Sequence, residues 1–204
     1  MKRIFICMLI ALAVPAWSMK DRGSFIENSL LAEGYVLKTW AEGDLNKDGI
    51  QDLVFVADEP ESGNRILWVY IFKENAENVL LLSNVHALYR ADEGGVWGDP
   101  LESISIARGS LFLKLYGGSN WRWSESYQFQ YRTDALYLIG HDNNSFFTGS
   151  DEGTSHSYDL LSGKKQTIVT DAEGKKTETW IKRNKKSLIN LIDFDINKKE
   201  YYLK

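Results

Sequence analysis

Apolar and polar residues alternate along most of this chain, in short runs closed off by glycine or Asx turns. Ile104 and Ile106 alternate with serines. Leu111, Leu113 and Leu115 alternate with Phe112 and Lys114, across Arg108-Gly109. Residues 126–131 (S-Y-Q-F-Q-Y) alternate aromatic with polar. A period of two sends successive side chains to opposite faces of a strand. Two such runs around a short glycine turn make a hairpin. Seven tryptophans, ten tyrosines and three prolines agree with antiparallel β structure.

The rest of the chain extends this pattern. Residues 24–32 predict a short helix, with Phe25, Leu30 and Leu31 on one face and Ser24 as its cap. Strands are expected at 35–40, 52–57, 65–72, 79–82, 101–107, 110–116, 126–131 and 136–141. A polar stretch over 142–156 follows, with no strand read in it. Residues 157–182 predict a three-stranded meander, with turns at 161–164 and 171–175. A further strand is expected at 188–196, with Leu188, Ile192, Phe194 and Ile196 on one face, and residues 201–203 pair back onto it. The sum is ten or so short strands with no internal repeat and no linker. The expected class is mainly β, one antiparallel domain over 19–204. Its shape would be a meander, sandwich-like or partial-propeller-like, with a short N-terminal helix.

The start of the chain reads as an address. Lys2 and Arg3 precede an unbroken apolar run, residues 4–17. That run is shorter than the roughly 18 residues a spanning helix needs. Ala16 and Ser18 are small residues where a signal peptidase reads, so residues 1–18 are expected to be a signal peptide cleaved after Ser18. The protein would then be periplasmic or secreted, without a membrane anchor. Cys7, the one cysteine, leaves with that segment. It has no small residues before it, which argues against a lipoprotein anchor. The mature chain would hold no disulfide and no thiolate, so its stability must come from its core and from any bound metal. The net charge of −4 becomes −6 once Lys2 and Arg3 are gone. That argues against nucleic acid as a partner. The basic cluster at 182–186 reads as a solvated loop.

One segment spells out chemistry. Residues 44–52 read D-x-N-x-D-G-x-x-D. Asp44, Asn46 and Asp48 place oxygen at alternate positions. Gly49 permits a sharp turn, Ile50 offers its carbonyl, and Asp52 closes the loop. A hard cation such as Ca²⁺ takes six to eight oxygen ligands from a tightly curled loop. The flanking segments are strands, and the twelfth position is Phe55 where an EF-hand needs a bidentate glutamate. An EF-hand is therefore excluded. The pattern over about residues 35–57 resembles the calcium loop of FG-GAP/VCBS repeats, as in integrin-type β-propellers. The resemblance implies Ca²⁺ held by Asp44, Asn46, Asp48, Ile50 and Asp52. A propeller needs several blades of about four strands, and no second copy of the loop is present.

Outside this loop, two glycine-aromatic segments are candidate contact loops, 94–100 (G-G-V-W-G-D-P) and 117–123 (G-G-S-N-W-R-W). Together with the loop and Tyr137-Leu-Ile-Gly140, they also resemble small exported Gram-negative proteins of no assigned activity. Trp97, Asp99, Trp121, Arg122 and Trp123 could present rings and a guanidinium to a protein or glycan partner. Alternatively the tryptophans are buried and the glycines serve the turns. Trp121 and Trp123 would share a face, with Arg122 on the other. Gly117-Gly118 is not a phosphate loop, because no helix with Lys and Ser/Thr follows. His86, His141 and His156 match no zinc spacing and read as strand-end or loop residues. There is no G-x-S-x-G elbow. The expected function is an exported, calcium-stabilised binding module, with a partner that could be a toxin or hydrolase it neutralises. The alternatives are a hydrolase of cell-wall or polysaccharide material and a structural envelope protein.

Overall fold

The computed structural model describes residues 19–31, 34–74, 78–184 and 187–203. The expected signal peptide, 1–18, lies outside these residues. Among these residues eleven strands form two antiparallel sheets, with no closed barrel. The first sheet is a meander of β1 (Val36–Gly43), β2 (Asp52–Asp58), β3 (Arg65–Phe72) and β4 (Asn78–Asn84). The second is a seven-stranded meander. It contains β5 (Leu101–Ala107), β6 (Ser110–Gly118), β7 (Trp121–Arg132), β8 (Ala135–Phe147), β9 (Gly153–Asp159), β10 (Lys164–Thr170) and β11 (Lys176–Lys182). A helix, α1 (Met19–Leu31), precedes the first sheet, and a short helix, α2 (Lys199–Leu203), ends the chain. No described helix is long and apolar enough to cross a membrane.

The four-stranded sheet is covered on both faces, which is why β2 and β3 are apolar without alternation. Val54, Val56, Leu67, Val69 and Ile71 face the larger sheet, where they meet Leu111, Leu113, Leu115, Tyr127, Phe129 and Leu138. The opposite face carries Leu53, Phe55, Ala57, Ile66, Trp68 and Phe72, and Ile26 of α1 packs there. Phe55 stacks between Trp68 and Tyr70, with ring centroids at 5.0 and 5.9 Å. Each fully buried side chain of this kind stabilises by about 1.5–3 kcal/mol.

The hairpins follow the local sequence. Arg108 and Gly109 have φ of 54° and 73°, so the β5–β6 turn is left-handed at both central positions, as a two-residue hairpin requires. The predicted meander is present, with Gln166 opposite both Ser157 and Trp180.

Four expectations are corrected. The helix begins at Met19, so Ser24 lies inside it and does not cap it. Residues 142–147 and 153–156, read only as a polar stretch, belong to strands, with a turn between them. β8 runs on to Phe147, with Asp142 opposite Ser157 and Asn144 opposite Ser155. The seven-stranded sheet extends past the core there, so both its faces meet water and the apolar period vanishes. Residues 188–196 are not a strand. The Asn190 and Asp195 side chains accept from the amides of Ile192 and Asn197, and these caps curl the chain into 3₁₀ turns at Leu191–Asp193 and Ile196–Lys198. Leu191, Phe194 and Ile196 are buried while Ile192 is exposed. Residues 201–203 are helical, within α2, and do not pair as a strand.

Candidate metal loop and aromatic surface

The loop between β1 and β2 is organised by its own oxygens. Asp44 accepts from the amides of Asp48 at 3.1 Å and Gly49 at 2.9 Å. Asn46 Oδ1 accepts from the same Asp48 amide at 3.0 Å, so Asp44 and Asn46 meet at one point. Asp48 accepts from the Ile50 amide and from Asn46 Nδ2, each at 2.8 Å. Lys47 and Gly49 take φ of 64° and 88°, the left-handed geometry that curls the loop.

Asp52 does something different. It is wholly buried, and its two oxygens accept from the amides of Leu45 at 2.8 Å and Phe72 at 3.0 Å. It therefore ties the loop to the end of β3. Burial raises its carboxyl to about 6 despite those amides, and the charge of Asp48 adds to the rise. The donor chemistry suits a hard cation, since every candidate ligand is an oxygen. No preformed cage of three carboxylates or imidazoles exists among the described residues.

The two glycine-aromatic loops are brought together at the opposite end of β6. Gly118 N–H donates to Gly94 O at 3.0 Å, and Gly95 bridges Gly118. A Cβ on Gly117 would lie 2.6 Å from the Trp123 ring, and one on Gly118 would lie 2.1 Å from Trp121 O. Glycine is required by these close approaches. Trp97 is 54% exposed and Trp121 46% exposed. Arg122 lies over the Trp97 ring, 4.7 Å from its centroid, and Tyr116 meets the same ring edge-on at 5.4 Å. Trp121 packs against Phe147 at 5.4 Å. Trp123 turns inward, to the core and to Tyr89.

Asp99 takes a structural place. The buried Arg65 guanidinium donates to Asp99 at 2.9 and 3.1 Å, and to Asp58 at 2.9 and 3.2 Å. Lys38 also reaches Asp99 at 2.6 Å. Burial pushes the Asp99 carboxyl up, but the bonds from Arg65, Lys38 and the Leu101 amide outweigh it and hold it at about 2. Its ordinary value is 3.8. A depressed carboxylate contributes its full stabilisation above the ordinary value and loses it as pH falls toward the folded value. Urea midpoints are thus expected to drop between pH 4 and pH 2 more steeply for the native chain than for Asp99→Asn. Parallel curves would contradict this.

Sequence reasoning missed one cluster. Glu125 and Tyr127 sit on the core face of β7, and the Tyr127 hydroxyl donates to Glu125 at 2.6 Å. Lys199 of α2 forms an ion pair with Glu125 and donates to Tyr89 at 2.6 Å. Tyr89, Glu93, Trp123, Glu125 and Lys199 line an open pocket. Lys199 and Glu125 lie 74 residues apart, so no local pattern links them. His141, expected at a strand end or loop, is instead buried on β8 against the Tyr127 ring at 4.7 Å. Desolvation there lowers its imidazole to about 4.

Comparison with protein-family models, curated proteins and solved structures gives no match for this chain.

Proposed function

We propose that this protein is an exported, calcium-stabilised binding module whose contact surface is the Trp97–Arg122–Tyr116 stack with Trp121 beside it. The observation that carries the reading is an exposed tryptophan held by a guanidinium and a second ring. Its loops are fixed by backbone bonds between glycines. Rigid tryptophan and arginine are the residues that dominate recognition surfaces. A flat exposed ring suits a sugar face or an apolar anchor of a protein partner. Export follows from the basic-then-apolar start of the chain and is itself part of the proposal.

Calcium in this reading would be held by Asp44, Asn46, Asp48 and the Ile50 carbonyl, with Asp52 behind them. A bound divalent cation would offset the repulsion between the Asp44 and Asp48 carboxylates. The loop and the aromatic surface sit at opposite ends of β6, roughly 30 Å apart at about 3.3 Å per residue. The ion is thus placed to hold the fold and not to touch the partner.

The test is retention of partners on immobilised protein, from periplasmic extract and from a glycan array. Trp97→Ala with Arg122→Ala is expected to weaken the retained interaction at least about ten-fold, at an unchanged melting temperature. Undiminished retention would remove the surface from consideration. The hydrolase reading has one observation in its favour, that Glu93 and Glu125 line one pocket with Trp123. Glycoside hydrolysis needs two carboxylates. Release of sugars from cell-wall polymer by the native chain, abolished by Glu93→Gln, would favour that reading over a binding module.

A further inference from the structure

We propose that β11 is a self-association edge, at which two copies pair antiparallel about Trp180 and join their seven-stranded sheets into one.

The larger sheet ends at β11, and every residue of that strand is exposed. β4 is covered at its Asn84 end by the turn at Leu191–Asp193, where Asn84 Nδ2 donates to the carbonyls of Leu191 and Phe194, while Val79 and Leu80 near its start are exposed. β5 lies against β1, where Gly43 has no room for a Cβ beside Ile106. An uncovered edge presents unpaired backbone groups that template another strand. The β10–β11 hairpin also exposes apolar side chains on both faces. Trp180 is 58% exposed, and Val169 and Ile181 are 47% and 44% exposed.

The side chains choose both partner and register. Glu178, Trp180 and Lys182 share one face of β11. Antiparallel pairing about Trp180 sets Trp180 opposite itself. It also sets Glu178 opposite Lys182 of the second copy, twice by symmetry. Opposite charges and facing aromatics are the favourable cross-strand pairs. Pairing about Thr179 would overlap the full strand, but it sets Lys176 opposite Lys182, and like charges there are unfavourable. Glu178 is already fixed in place, since it accepts from Gln166 Nε2 at 3.0 Å and from the Trp180 indole N–H. The carboxylate thus waits beside the ring that meets its twin. A single strand pair buries less than the roughly 1,200 Å² of a stable interface. The dimer is therefore expected to be weak and reversible.

Sedimentation equilibrium of the full chain tests this first, and cysteine cross-linking fixes the register. The native protein is expected to shift from monomer to dimer as its concentration rises to about 100 µM. Glu178→Lys should abolish the shift, and Glu178→Lys with Lys182→Glu should restore it. With the single native cysteine replaced, Cys7→Ser, Trp180→Cys should cross-link across the two-fold axis in preference to Thr179→Cys, because directly opposed strand residues lie within disulfide reach. A native chain that stays monomeric at that concentration overturns the proposal. So does preferential cross-linking at Thr179, or a charge swap that fails to restore pairing in variants of native melting temperature.

Discussion

Arg65→Ala is expected to destabilise the protein by about 3–5 kcal/mol, the range for removing one partner from a buried ion cluster. Arg65 is 2% exposed, yet its guanidinium bonds two carboxylates in bidentate fashion, Asp58 on β2 and Asp99 in the Trp97 loop. Truncation leaves both carboxylates without their shared donor and opens a cavity at the start of β3. For a chain of this length each kcal/mol lowers the melting temperature by roughly 2–4 °C, so a fall on the order of 10 °C is expected. Arg65→Lys should recover only part of it, because an ammonium cannot match two planar carboxylates at once. Equilibrium urea unfolding measures both. A loss under about 1 kcal/mol for the alanine variant would place the cluster among surface ion pairs, which contribute little. The consequence reaches the proposed contact surface. Asp99 anchors the segment that carries Trp97, so Arg65→Ala should also raise the mobility of Trp97, read as a fall in its fluorescence anisotropy.

Most of the strands are legible in the sequence because their apolar residues keep a period of two or an unbroken run. Arg108-Gly109 and the meander turns name their own geometry. The misread segments lie where a different physical effect governs. Over 142–156 the sheet leaves the core, so strand character persists without any apolar period to mark it. Over 188–198 the Asn190 and Asp195 caps overrule an apolar spacing that would also suit a strand. The aromatic loops are legible as loops, but their union is not. The bond from Gly118 to Gly94 and the stacking of Arg122 on Trp97 join residues more than 20 positions apart. Asp99 is the instructive case. Its place among glycines and tryptophans suggests recognition, while its actual partner is Arg65, 34 residues away. The Glu125–Lys199 pair is hidden for the same reason.

Addition of EDTA is expected to lower the melting temperature of the native chain, and Asp48→Ala to abolish that difference. The choice of Asp48 follows from the two kinds of carboxylate in the loop. Asp52 is buried and holds the amides of Leu45 and Phe72, so its removal damages the fold whether or not an ion binds. Asp48 is exposed, and its oxygens accept from Ile50 N–H and Asn46 Nδ2. Losing those two exposed bonds costs about 1 kcal/mol in the absence of an ion. A ligand that binds only the folded state stabilises it by mass action, about 2.7 kcal/mol at a hundred times its dissociation constant. That corresponds to a rise on the order of 5–10 °C. In calcium, Asp48→Ala should therefore fall well below the native chain, and in EDTA the two should nearly coincide. Mg²⁺ should recover little of the stabilisation, because it demands a smaller, near-octahedral shell. If EDTA leaves the native melting temperature unchanged, the loop is an Asx turn whose oxygens serve only its own amides. The hydrogen bonds of Asp44, Asn46 and Asp48 would then be its whole purpose. If calcium does raise the melting temperature while Trp97→Ala leaves that rise intact, the ion and the contact surface act independently. Their separation along β6 predicts that outcome.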